Sequence, residues 1–137
     1  MTIKEFLNQA YLLNEDIESK ILQIEHLRVL AEYASAHDMA KARVKSSVPA
    51  DYLENIVAQI ADLESEIRAD MTCIVELKKD ISCMIDAIAG HDPRLKVILR
   101  KRYLFFKPWH QIATDVNRSA SYIFSLHSRG LNSAKVG

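Results

Sequence analysis

The sequence predicts an all-α protein: a long antiparallel coiled-coil hairpin followed by a three-helix domain of helix-turn-helix type. Three observations carry that prediction. Apolar residues recur at intervals of three and four over two long stretches, which is the period of one helical face. Only 3 glycines and 3 prolines punctuate the 137 residues, too few for the many turns of a small all-β fold. The last third instead carries closely spaced Pro, Asn and Ser breakpoints that mark short helices. At 49% hydrophobic and 26% charged, the chain has apolar surface enough to fold, which excludes collagen-like, low-complexity and disordered classes.

The first helix is expected over about 2–36. Thr2 and Glu5 form a capping box, in which each side chain can accept a hydrogen bond from the other's backbone N–H. Phe6, Ala10, Leu13, Ile17, Ile21, Ile24, Leu27 and Ala31 then make one apolar stripe, with no glycine or proline to interrupt it. Residues 37–49 lose the pattern and read as a connection, with Pro49 suited to the first turn of the next helix. The second helix, about 50–89, keeps a stricter alternation: Leu53, Ile56, Ile60, Leu63, Ile67, Ile74, Leu77, Ile81, Met84 and Ile88, with Met71 near its single gap. Gly90 closes it by taking a left-handed conformation. Two long helices with narrow seams form the hairpin of a 1–90 domain. Its one-sided core calls for packing on the C-terminal part or on a second copy, as a homodimer.

A second domain, 91–137, opens at His91-Asp92-Pro93, with Asp92 as cap and Pro93 at the first helical position. Its helices are expected at about 93–105, 108–116 and 119–133. Leu95, Ile98, Leu99 and Tyr103 face inward from the first, and Ile112, Val116, Ile123 and Leu126 fill the angle between the other two. Asn117 tolerates the positive φ of a tight turn, and Ser119 caps the last helix.

Charge divides the chain at the same place. Residues 1–89 hold nine Lys/Arg against sixteen Asp/Glu, a net of −7; residues 90–137 hold nine against two, a net of +7. The basic third is either an electrostatic footprint for a polyanion or one half of an intramolecular attraction. Trp109, Phe105 and Phe106 read as core rather than as a stacking platform. Tyr122 suits base stacking and protein contact equally. His110 and His127, without acid or thiol partners at ligand spacing, read as surface or second-layer residues, and no metal or other cofactor is expected. No phosphate-binding glycine loop, nucleophile elbow or metalloprotease motif is present, so the chain does not read as an enzyme. Cys73 and Cys83, ten helical residues or about 15 Å apart, cannot pair and read as small buried hydrophobes in a reduced cytoplasm. No run of 18 uncharged apolar residues and no apolar leader are found, so neither a membrane span nor secretion is expected.

Residues Leu99–Leu131, with their Arg-Tyr pair, their Trp109-x-x-Ile112-Ala113 helix and the serine-capped helix after it, resemble region four of the sigma-70 factors. The whole chain, through the Glu54–Ile67 run as well, is similar to a family of small phage and prophage proteins of Gram-positive bacteria related to the ArpU/RinA-type late-gene transcriptional regulators. The resemblance implies a cytoplasmic regulator in a bacterial host, binding double-stranded promoter DNA, RNA polymerase or both. By position it implies that Ser119 caps the recognition helix, that Ala120, Ser121, Tyr122, Ser125 and Arg129 face the major groove, and that Lys107 and Arg118 lie near phosphates. Ser125 stands where that family usually carries a basic residue, Gly130 where it carries alanine, and Phe106 at a turn position where glycine is common. The alternative is a phage module on a degenerate helix-turn-helix scaffold that binds a host protein and inhibits or redirects a nucleic-acid machine.

Overall fold

The computed structural model describes residues 1–40, 49 and 51–136. Among them the protein is all-helical: α1 (Ile3–Ala40), α2 (Tyr52–Ala89), α3 (Pro93–Tyr103), α4 (Trp109–Val116) and α5 (Ala120–Val136). No helix among the described residues is long and apolar enough to cross a membrane. The chain divides into two compact units, one of Glu15–Thr72 and one of Met1–Asn14 with Cys73–Gly137.

In the first unit, α1 runs antiparallel to α2, as two cross-helix contacts show. Lys20 Nζ meets Asp70 Oδ2 at 2.6 Å, and Arg28 Nη2 meets Glu64 Oε1 at 3.2 Å, so numbers rise along one helix as they fall along the other. Ile17, Ile24, Leu27 and Ala34 of α1 are buried with Ile56 and Ile67 of α2. The stripe differs from the expected one at two steps: Ala34 is buried where Ala31 is only partly so, and the seam leaves out Ile21. Ile21 is 38% exposed, and the three-four alternation passes instead from Ile17 through Lys20 to Ile24. On α2 the step after Ile67 is Asp70 rather than Met71, which is also exposed. A lysine and an aspartate thus occupy facing seam positions, their side chains only 20% and 21% exposed. Hydrogen bonds to Asp70 and Asp16 raise the Lys20 ammonium above its ordinary pKa.

The second unit encloses the main core. Leu7 and Ala10 of α1, Ile81, Ile85 and Ala89 of α2, Leu95, Ile98, Leu99 and Tyr103 of α3, Ile112 of α4, and Ile123, Leu126 and Leu131 of α5 form one buried cluster. Packing therefore joins the residues 91–137 to the first turns of α1 and the last turns of α2. Gly130 of α5 is buried against α3, where an added Cβ would lie 2.6 Å from Leu95 Cδ2. The glycine read from sequence as a departure from alanine is thus what leaves room for the buried Leu95 side chain.

Several local expectations hold. Thr2 and Glu5 exchange hydrogen bonds at 3.0 and 3.1 Å, Gly90 ends α2 at φ +55°, and the Asp92 carboxylate accepts from the Arg94 and Leu95 amides. Others need correction. The first helix continues to Ala40 rather than stopping near 36, while the rest of the expected connection, 41–48, lies outside the described residues. Pro49 precedes α2, its carbonyl accepting from the Tyr52 amide. Cys73 and Cys83 are exposed, because the seam runs through Ile74, Ile81 and Met84 beside them. Phe105, 66% exposed, is not core, since α3 ends at Tyr103 and carries the next ring outward. His127 is a core residue, 8% exposed, hydrogen-bonded to the Tyr103 hydroxyl at 2.6 Å.

Burial holds the His127 imidazole down to about 4, reinforced by the positive charges of Lys4 and Arg102, and burial pushes the Tyr103 phenol up to about 12. Both rings are therefore neutral at pH 7. An unfolded histidine binds its proton near 6.5, so the stability that neutral His127 carries is complete above pH 6.5 and lost as pH falls toward 4. Urea titrations across that window should show a loss of roughly 3 kcal/mol attached to this residue, and His127→Gln should flatten the slope. For the seam, Lys20→Ala and Asp70→Ala should each lower the melting temperature by stranding the other charge. The double change Lys20→Leu/Asp70→Leu should recover or exceed it, since apolar replacements of such pairs are often neutral or stabilising. Thermal melts followed by circular dichroism decide both.

Candidate nucleic-acid interface

The short helices of the second unit are set by their breakpoints. After α3, the Leu104 and Phe105 amides both donate to the Arg100 carbonyl, and Phe106 adopts φ +58°, a left-handed conformation in a non-glycine residue. The turn is held because the Phe106 ring is packed against the core, edge-on to Tyr11 at 5.8 Å and under the Lys78 ammonium at 4.8 Å. Arg102 then donates to the Lys107 carbonyl, and Pro108 precedes α4. Asn117 ends α4 in the left-handed region, φ +54° and ψ +50°, and the Arg118 amide donates back to the Ala113 carbonyl at 3.0 Å. Ser119 Oγ accepts from the Tyr122 amide at 3.1 Å, which starts α5. A short helix, a three-residue turn and a second helix follow one another as the residues dictate. α3, α4 and α5 each touch the other two.

At 100° per residue, Ile123, Leu126, His127 and Gly130 form the buried face of α5, and Ser121, Ser125, Ser128 and Asn132 lie opposite, all exposed. Of the sequence-predicted site residues, Arg118, Ser119, Ala120, Ser121, Ser125 and Arg129 are exposed, while Tyr122 and Lys107 are half-buried. Ser121 and Ser125 share the outer face; Arg129 and Tyr122 flank it. Ser128 and Asn132 continue the same face and were not singled out from the sequence, although extending the three-four spacing of Ser121 and Ser125 finds them. Phe124 also reaches the surface, its ring edge-on to Trp109 at 5.5 Å.

The structure sorts the basic residues of 90–137 into paired and unpaired. Lys96 and Arg100 meet Asp86 at 3.5 and 3.3 Å. Lys101 and Lys107 meet Asp115 at 3.4 and 3.0 Å, and Gln111 donates to the same carboxylate at 2.8 Å. Arg102 lies over the Trp109 ring at 4.8 Å. Lys107, expected near phosphates, is thus tied to an acid of its own unit. Among the described residues, Arg94, Arg118 and Arg129 make no ion pair, nor does Arg102 beyond its ring and carbonyl contacts. Two of them converge on one ring: Arg94 Nη1 donates to the Tyr122 hydroxyl at 3.3 Å, and the Arg118 guanidinium sits 5.2 Å from the Tyr122 ring centroid. Arg94 lies 28 residues from Tyr122, so no local signal in the sequence joins them.

The chain matches no family model, no curated protein and no solved structure. The site rests on its own geometry. Among the described residues no group of three or more His, Cys, Asp or Glu side chains is placed to hold a metal ion.

Hydrogen bonding from Gln111 and Lys107, with a smaller contribution from Lys101, holds the Asp115 carboxyl at about 2. Because the folded value is depressed, this anchor is present above the ordinary carboxylate range and is lost as pH falls through about 2. A carboxyl-carbon NMR titration should place the Asp115 midpoint near 2, and Gln111→Ala or Lys107→Ala should move it up toward 3.8.

Proposed function

We propose that this chain is a DNA-binding regulator of transcription that docks its α4–turn–α5 pair on duplex DNA, with α5 presented to the major groove. The observation that carries the reading is the exposed outer face of α5. Ser121 and Ser125 stand on it, with Arg129 and, across Tyr122, Arg118 and Arg94 unpaired along one flank. Small hydroxyl side chains allow the helix backbone close to base edges and can donate or accept there. Guanidiniums beside them suit phosphate oxygens, which fix position without reading sequence. The resemblance to sigma region four and to phage late-gene regulators points the same way and extends the partners to promoter DNA and RNA polymerase.

A second reading, a host-protein-binding module on the same scaffold, is favoured by one observation. Four of the basic side chains, Lys96, Arg100, Lys101 and Lys107, are already matched by Asp86 and Asp115, and the outer face of α5 itself carries only the uncharged Ser121, Ser125, Ser128 and Asn132.

A salt-titrated shift assay with the chain's own upstream DNA beside random duplex tests the first reading. Affinity should fall steeply with salt, with a logarithmic slope of about 0.9 for each neutralised phosphate. Arg118→Ala and Arg129→Ala should each weaken binding and reduce that slope by about one contact. No duplex binding at low salt overturns the reading. One stoichiometric protein partner that survives nuclease treatment then favours the second.

A further inference from the structure

Beside the outer face of α5 lies a cavity of about 300 Å³, bounded by Pro93, Arg94, Val97, Ile98, Val116, Arg118 and Tyr122. We propose that it is a binding site for a small organic anion, one that carries an apolar ring or chain on a carboxylate or phosphate head.

The walls and the rim ask for different parts of one molecule. Val97, Ile98 and Val116, from α3 and α4, with the Tyr122 ring from α5, make an apolar lining, and Val97, 43% exposed, is shared between this cavity and a second depression beside Phe105. A valine this open on a helix whose other apolar residues, Leu95, Ile98 and Leu99, are buried is surface that a ligand would cover. The rim carries two guanidiniums, Arg94 and Arg118, on either side of Tyr122. Neither makes an ion pair among the described residues, in contrast to Lys96, Arg100, Lys101 and Lys107 nearby, although the Asp92 carboxylate acts on Arg94 at longer range. Guanidinium forks match a carboxylate or phosphate bidentately, and they are strongest beside a surface that excludes water. Arg94 is also held in place by the Tyr122 hydroxyl, so part of the ordering cost of binding is met before a ligand arrives. The volume is at the small end of the range for ligand pockets, which fits a mono- or bicyclic body.

A DNA backbone would use the arginines and leave the valines wet. A neutral apolar molecule would use the valines and leave both arginines unanswered. An amphiphilic anion satisfies both sets at once, and the site stands independently of duplex binding because its ligand is read without DNA.

The test uses the full chain and 1-naphthoate as the probe, with 1-naphthalenemethanol, acetate and inorganic phosphate as comparators. Affinities come from calorimetry, and the location comes from amide and methyl NMR shifts. Naphthoate should bind roughly tenfold tighter than any comparator, shifting Val97, Ile98 and Val116, and Arg94→Ala and Arg118→Ala should each weaken it about five- to tenfold. Both positions are at the surface, and an unchanged circular dichroism melt confirms that the variants fold. Naphthalenemethanol or phosphate binding as tightly as naphthoate would overturn the proposal, since one half of the site would then suffice alone. So would naphthoate shifts elsewhere on the molecule, the absence of binding at millimolar concentration, or affinity unchanged in both arginine variants.

Discussion

Burial of the inner faces of α3, α4 and α5 against the start of α1 and the end of α2 is the constraint on which the second unit depends. Three helices within 47 residues remove little apolar surface from water by themselves, so their ordering is offset only marginally without further packing. Leu7 and Ala10 on one side, and Ile81 and Ile85 on the other, are fully buried in the same cluster as Ile98, Leu99, Ile112 and Ile123. Tyr103 and His127 sit inside that cluster and could not be there as charged groups; their mutual hydrogen bond answers the polar atoms that burial would otherwise strand. Gly130 completes the fit by clearing the space that Leu95 fills.

Charge pairing acts on top of this packing and decides what the surface offers. Asp86 and Asp115 each gather two cations, so the basic character counted along residues 90–137 is spent unevenly. Of the guanidiniums left without an ion pair, Arg102 covers Trp109, while Arg94, Arg118 and Arg129 stand along the Tyr122 side of α5, near both the serine-lined outer face and the cavity walled by Val97 and Val116. An even spread of nine positive charges would have suggested a featureless polyanion patch. The observed arrangement is narrower: a few arginines placed by an aromatic ring. In the first unit a polar pair also interrupts an apolar surface, where Lys20 and Asp70 fall in facing seam positions. A one-residue slip of either helix would separate them, so the pair favours a single register.

How much was legible follows from the range of the interactions. Helix identity, the Thr2–Glu5 box, the Asp92 and Ser119 caps and the left-handed Gly90 and Asn117 are decided within four residues, and the sequence determined them. So did the order of the helices and the apolar faces of α3 to α5, because periodicity is a local property. Contacts between distant residues were decided only by the tertiary structure. Lys20 was indistinguishable from a solvated lysine until Asp70 was placed opposite. His127 read as a surface or second-layer residue until α3 brought Tyr103 to it. Arg94 joined the site only when α5 carried Tyr122 alongside, and Lys107 left the unpaired set when α4 turned Asp115 toward it. Local chemistry chooses the elements, but which side chains meet across them depends on how those elements pack.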